Sequence, residues 1–214
     1  MTEPILKVEG ISKGFPGVQA LKDVHLSVFA GEVLVLVGEN GAGKSSLMKI
    51  LSGIYTKDEG QIFFNGQEVD ITSPLQAQQL GVTIIHQEMN LMSDLTVAQN
   101  IYIGREPMSG PFLSETKLNK QATELLERLE INLNPKQLVS ELTVAKQQMV
   151  EIAKALSFNA KVLIMDEPTS ALTDTEVEVL FTLIEQLKAR GTAIIYISHR
   201  LDEIFQIADE VTVL

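Results

Sequence analysis

Cysteine and tryptophan are absent from the 214 residues, and all aromatic residues together reach only 5%. The missing cysteines exclude a disulfide scaffold and are compatible with a reducing compartment. Cations are scarce: 17 Lys and Arg face 28 Asp and Glu, for a net charge of −11. That balance argues against nucleic acid as a principal partner, because phosphate backbones are bound by clustered Lys and Arg. It leaves a small phosphorylated ligand open, which needs only a local cationic pocket lined by amides. No stretch approaches the roughly 18 consecutive apolar residues of a membrane-spanning helix. The opening "MTEPILKVEG" has neither the positive segment nor the apolar run of a signal peptide. The expectation is a cytoplasmic protein whose membrane association, if any, comes through a partner. Neither an internal repeat nor a low-complexity segment is present.

What remains is an ordinary globular composition, 45% hydrophobic and 21% charged, long enough for one sizeable core with a subdomain. Short strand-like runs fill the first third: "ILKVEGI", "LKDVHLSVFA", "GEVLVLVG" and "GQIFFNG", punctuated at "GFPG" and "NGQ". "EVLVLVG" is apolar almost throughout and reads as a strand buried on both faces; "GVTIIH" is another. From about residue 88 to 157 helical periodicity takes over, around 96–103, 115–130 and 143–157. In "ELTVAKQQMVEIAKAL", Ala145, Met149, Ile152 and Leu156 recur at helical spacing with Gln148, Glu151 and Lys154 between them, as on a surface helix packing one stripe. Strand and helix then alternate: "KVLIMD", the helix 173–190, "GTAIIYIS", "HRLDEIFQIA" and "DEVTVL". Alternation of this kind predicts an α/β fold with a parallel sheet, the core taking about 1–87 and 158–214 and an inserted helical subdomain about 88–157. The final "VTVL" carries no turn or cap after it, which suggests a fragment of a longer protein.

Two motifs carry chemistry. "GENGAGKSS" places Gly38, Gly43, Lys44 and Ser45 in the G-x-x-x-x-G-K-[ST] pattern, after a predicted strand and at the start of a predicted helix. Gly38, Gly41 and Gly43 let the backbone wrap so that N–H groups point inward at phosphate oxygens, with Glu39, Asn40, Ala42 and Ser46 completing the loop. The helix N-terminus adds partial positive charge. Lys44 would reach the β- and γ-phosphates of ATP, and the Ser45 hydroxyl would sit on Mg²⁺. The competing reading, a glycine-rich turn with an incidental lysine, does not explain the strand and helix on either side. In "KVLIMDEPTSAL", Asp166 and Glu167 follow an apolar strand, at the end where parallel sheets open onto ligand. Asp166 suits indirect Mg²⁺ coordination and Glu167 the polarising of an attacking water. Taken alone, the pair reads equally well as a solvated loop start. Thr173 with Glu176 fits a capping box.

Read together, these residues resemble the ATP-binding subunits of ABC transporters over essentially the whole chain. "GENGAGKSS" looks like Walker A, "VLIMDE" like Walker B, "HQE" like the Q-loop and "ISHR" like the H-loop. "ISKGFPGVQALKDV", "GVTIIHQEMNLMSDLTVAQNIYIGRE" and "QQMVEIAKALS" look like the first half of tandem ATPases that drive ribose, galactose and xylose importers. The resemblance implies a P-loop NTPase (RecA-like) core with an N-terminal antiparallel β-subdomain and an inserted α-helical subdomain. It also implies an ATP- and Mg²⁺-dependent hydrolase powering sugar import from the cytoplasmic face of the membrane. Its partners would be a second ATPase half, in the same polypeptide or a homodimer, membrane permease subunits and, indirectly, a periplasmic sugar-binding protein.

The resemblance further implies that Phe15 stacks on adenine, that Gln87 touches the metal or the attacking water, and that His199 bonds the γ-phosphate. "LTVAK", Leu142, Thr143, Val144, Ala145 and Lys146, stands where the family carries L-S-G-G-Q and would contact the ATP of the opposite half. Val144 and Ala145 replace glycines, which removes any cheap positive φ and adds Cβ atoms to the approach. Lys146 replaces glutamine, and Thr173 stands where Asp is usual. "MNLMSDLTVAQNIYI" would supply the surface facing the permease. The alternatives are a non-transport ABC ATPase, which the charge disfavours, and an ATP-binding regulatory half with little turnover, which the altered signature keeps open.

Overall fold

In a computed structural model the chain is described over residues 3–214. It divides into two compact units, one comprising the residues up to Gln87 with Ala160–Pro168 and Ile184–Leu214, the other Glu88–Asn159 with Thr169–Leu183.

The first unit opens with β1 (Leu6–Phe15) and β2 (Val18–Val28), an antiparallel pair turned at Pro16–Gly17. At 10 and 11 residues they are longer than the short strands expected there, because bulges let the pairing continue through irregular register. Next come β3 (Val33–Val37), α1 (Lys44–Leu51), β4 (Glu59–Phe64) and β5 (Gln67–Val69). After these, α2 (Pro74–Leu80) leads into β6 (Val82–Ile85). α2 has no counterpart among the elements expected from the sequence, although "SP" marks its start: Ser73 accepts a hydrogen bond from the Gln76 N–H, and Pro74 occupies the first turn.

The second unit holds α3 (Val97–Ile101) and the hairpin β7 (Met108–Ser109) and β8 (Phe112–Leu113). It continues with α4 (Glu115–Arg128), a 3₁₀ turn at Val139–Glu141 and α5 (Val144–Leu156). The remaining elements are β9 (Val162–Asp166), α6 (Asp174–Ala189), β10 (Ala193–Ile197), α7 (Leu201–Ile207) and β11 (Glu210–Val213).

Two sheets form. β2-β1-β4-β5 is antiparallel; β11-β3-β10-β9-β6 is parallel throughout. The central strands β3, β9 and β10 are buried along nearly their whole length, as their continuous apolar runs predict. Leu34, Leu36, Ile164 and Ile195 share one core with Leu6, Ile11 and Ile62 of the antiparallel sheet and with Leu47 and Leu51 of α1. In the second unit α5 buries Gln148, Val150, Ala153 and Ala155 in addition to Met149, Ile152 and Leu156, so it is enclosed on more than the single stripe expected. Gln148 is core, not surface, and its Nε2 has no hydrogen-bond partner among the described residues.

One carboxylate joins three elements of the first unit. Asp209 Oδ2 accepts the N–H of Val33 at 2.8 Å, the Asp209 N–H returns to the Val33 carbonyl at 3.0 Å, and Lys188 Nζ donates to Asp209 Oδ1 at 2.8 Å. Asp209 thereby holds the Lys188 ammonium above its ordinary pKa. Asp209→Ala leaves the N–H of the fully buried Val33 unpaired and is expected to lower unfolding stability in urea by about 1–3 kcal/mol. The Lys188 contribution is fully present below the unfolded lysine value of about 10.4 and is lost as pH rises through the raised folded one. The difference between wild type and Lys188→Met should therefore close only in strongly alkaline solution.

Candidate functional site

The loop between β3 and α1 is shaped by glycine. Gly43 caps α1 at φ 99°, a left-handed conformation that side chains rarely adopt. A Cβ there would run into the Ala20 carbonyl oxygen and lie 2.6 Å from Leu21 Cδ2, so β2 also requires glycine at this position. No side chain caps α1 and no acidic residue stands in its first turn. Its leading N–H groups, which as in any helix lack intrahelical acceptors, therefore have no capping side chain either, the arrangement that receives an anion. Lys44 is folded back over the loop, with Nζ donating to the carbonyls of Gly38 at 2.7 Å and Glu39 at 3.0 Å.

Strand order brings two more groups to this loop. β10 lies between β3 and β9, so their carboxyl ends converge. Asp166 closes β9, and its half-buried carboxyl is pushed above the usual range by burial and by the neighbouring Glu167, against the pull of His86, Lys44 and Lys49. Glu167 sits at φ 46°, uncommon for a residue with a long side chain, and is held there by its N–H donating to the Ile197 carbonyl at 3.0 Å. Its two carboxylate oxygens are bracketed. Oε1 accepts from His199 Nδ1–H at 3.1 Å, and Oε2 accepts from Gln87 Nε2 at 3.4 Å.

Phe15, at the tip of β1, is 37% exposed and meets Tyr55 edge-on at 5.2 Å. Asp58, which the sequence reading did not single out, secures that hairpin: it accepts the Gly14 N–H at 2.7 Å and Lys13 Nζ at 2.6 Å. These two bonds hold the Asp58 carboxyl below its ordinary pKa.

A cavity of about 550 Å³ is lined by Phe15, Asn40, Gly41, Gly43, Lys44, Ser45, Ser46, Gln87, Asp166 and Glu167, with Val18, Ala20 and Ile197. Gly38, Glu39 and Ala42 shape the loop without lining the cavity, and His199 joins through Glu167. The Ser45 hydroxyl, Gln87 amide and Asp166 carboxylate offer only hard oxygen ligands, and no cluster of three or more His, Cys, Asp or Glu suited to a metal occurs among the described residues. That donor set fits Mg²⁺, which is bound by hard oxygens including one or two carboxylates and completes its shell with water and phosphate oxygens.

Leu142, Thr143, Val144, Ala145 and Lys146 lie in the second unit. Thr143 is the N-cap of α5, its hydroxyl accepting the Lys146 N–H at 3.4 Å. No residue from 142 to 146 has positive φ, so the expected backbone penalty for Val144 and Ala145 does not arise. In the same unit Asn100, buried and missed in the sequence, holds the 92–96 loop: Oδ1 accepts the Met92 N–H, and Nδ2 donates to the Met92, Leu95 and Thr96 carbonyls. Within "MNLMSDLTVAQNIYI", Val97, Ala98 and Ile101 are core, while Met92 is exposed. The expected capping box at Thr173 is half formed. Glu176 accepts the Thr173 N–H, but the Thr173 hydroxyl donates to that same carboxylate instead of accepting from the helix.

The ABC transporter family model matches residues 21–170, which include the phosphate loop, Gln87, Asp166 and Glu167. The chain belongs to the ABC transporter family. A putative ribose/galactose/methyl galactoside import ATP-binding protein of Burkholderia cenocepacia is 57% identical over the whole of this chain and 42% of its own length. One from Agrobacterium fabrum is 55% identical over 98% of this chain and 42% of its own length. The chain thus spans less than half the length of these relatives. The crystal structure of an ATP-binding cassette of an ABC transporter in its ADP conformation superposes with a TM-score of 0.88 at 29% identity, over 100% of this chain and 88% of that one. A nucleotide-free cassette gives 0.84 at 28% identity, over 99% and 87%. The fold of this cassette is therefore a nucleotide-binding one.

The raised pKa of Asp166 has a stability consequence. The native cassette holds that proton more tightly than the unfolded chain, so stability without nucleotide falls as pH rises from the ordinary value near 3.9 through the raised one. Asp166→Asn removes this cost. Its melting temperature without nucleotide should exceed that of wild type at pH 7 and converge with it below about pH 4, whereas ATP with Mg²⁺ should raise the wild-type value more.

Proposed function

We propose that the cassette binds ATP in this cavity and hydrolyses it to drive sugar import. The observation that carries the reading is Glu167, held in a left-handed conformation beside the phosphate loop with both carboxylate oxygens engaged by Gln87 and His199. A carboxylate fixed in that way accepts hydrogen bonds from water and aligns it for attack. The loop N–H groups and Lys44 bind the β- and γ-phosphates, Lys44 exchanging its two carbonyl partners for phosphate oxygens. Phe15 packs against adenine. His199 hydrogen-bonds the γ-phosphate, and Gln87 reports nucleotide state toward the segment that follows it. Ser45, Gln87 and Asp166 would hold Mg²⁺, which when bound neutralises charge on the β- and γ-phosphate oxygens.

Sugar import rests on the names of the relatives, 55–57% identical along this chain. The same reading supplies the partners: a second ATPase half whose ATP is contacted by Leu142–Lys146, a membrane permease and, through it, a periplasmic sugar-binding protein. The cassette would then work at the cytoplasmic membrane face; no helix among the described residues is long and apolar enough to cross a membrane. A regulatory half that binds ATP with little turnover remains a second reading, favoured by Val144, Ala145 and Lys146.

Glu167→Gln should retain ATP binding and lower the ATPase rate on the order of a hundredfold or more. An unchanged rate would favour the regulatory reading. The rate per molecule of the purified chain should rise with protein concentration if two copies close on each other. Tight binding with negligible turnover at every concentration would assign the completing role to a different half.

A further inference from the structure

Among the described residues Glu203 is the one buried carboxylate, at 1% exposure. It stands in the first turn of α7, where an acidic side chain suits the helix dipole, but it points into the protein. Its Oε2 accepts from Tyr196 Oη at 2.9 Å and from Ser198 Oγ at 2.7 Å. Its Oε1 lies 3.2 Å from an Arg200 guanidinium nitrogen. Ser198 Oγ, while donating to Glu203, accepts the Arg200 N–H at 3.1 Å. The residues immediately before and after His199 are thus tied to one carboxylate.

His199 needs such a tether. Its side chain is 70% exposed and among the described residues bonds to Glu167 alone, so packing does little to fix the ring. Where the imidazole points then depends on the backbone of 198–200. Any buried acid requires partners; what distinguishes Glu203 is that its partners flank the H-loop histidine and lock the turn from both sides. We propose that Glu203 is a positioning residue for His199, setting the ring against Glu167 without touching nucleotide. Its catalytic consequence rests on the reading that His199 acts at the γ-phosphate.

Two substitutions break the hub differently. Glu203→Gln keeps the length but cannot accept both hydroxyls and the guanidinium: one end of the amide is a donor facing donors. Ser198→Ala removes a single link and is the milder variant should the first fail to fold. The chain has three histidines, His25, His86 and His199, so ¹⁵N imidazole spectra resolve the ring directly with two internal controls. In both variants the His199 signals should shift and lose their Nδ1-protonated bias while those of His25 and His86 stay in place, with the smaller change in Ser198→Ala. Unmoved His199 signals, or equal disturbance of all three rings, would overturn the proposal.

In the ATPase-competent assembly Glu203→Gln should lower kcat on the order of tenfold to a hundredfold, with KM for ATP little changed, as expected for a misplaced catalytic group. It should cost nothing further in a His199→Ala background. Losses that multiply in the double variant would refute the coupling. If His199→Ala itself leaves turnover intact, the catalytic reading of His199 fails, while the spectral test still decides whether Glu203 orients the ring.

Discussion

The ladder between β9 and β10 does not end with the strands. One more hydrogen bond, from the Glu167 N–H to the Ile197 carbonyl, carries the pairing past Asp166 and turns the chain into the left-handed region at that step. Much of the site depends on this bond. It fixes Glu167 relative to β10, and β10 continues directly into Ser198 and His199, so the carboxylate and the imidazole meet at 3.1 Å. Because β10 is also the neighbour of β3, the same strand order sets Glu167 beside the phosphate loop, with His199 joined to it through that carboxylate. A left-handed glutamate costs on the order of 1–3 kcal/mol, and a fully buried parallel sheet is the rigid frame that sustains such a residue.

The electrostatics of the site differ from those of the chain. The net charge is −11, yet Asp166 feels Lys44, Lys49 and His86 against the combined effect of burial and Glu167. Burial wins, and the carboxyl titrates high. Two carboxylates in succession at a half-buried strand end are unfavourable for an empty protein. They become favourable once cationic charge is supplied from outside, which links the stability of the site to its ligand.

What could be read in the sequence follows from which interactions are local. The phosphate loop was legible because its glycines answer to backbone geometry, and Gly43 needs its freedom both for φ and for the approach to Ala20. Buried strands declared themselves as apolar runs. Glu167 was visible as a residue type, but its left-handed backbone was not, since the bond that imposes it comes from a strand 30 residues further on. Asp58 escaped for the same reason, whereas the partners of Asn100 and Glu203 lie within eight residues and what was hidden is that these two side chains turn inward. Asp58 acts on a hairpin 44 positions earlier, and Glu203, in a first helical turn, has the appearance of an ordinary dipole-complementing acid. Gln148 was misplaced because a polar residue between apolar ones normally faces solvent; here its helix is enclosed, and the amide is buried without a partner for Nε2.

The signature segment shows how far sequence departure can go without backbone cost. Glycine is irreplaceable where φ is positive or where backbone presses close, and at 142–146 the first condition is absent. Thr143 keeps the capping hydroxyl and spends it on the Lys146 N–H, so the start of α5 is set by the cap and not by glycine. In the proposed ATPase the penalty of Val144 and Ala145 would then be steric alone, two Cβ atoms on the face that the ATP of the second half would approach. Lys146 acts in the opposite sense. It adds an exposed cation to the first turn of a helix whose N-terminus is already positive and which has no acidic residue there. That combination is mildly unfavourable for the isolated chain and favourable beside a triphosphate. In the proposed ATPase, charge at this helix can therefore compensate for the contact distance that the lost glycines gave up.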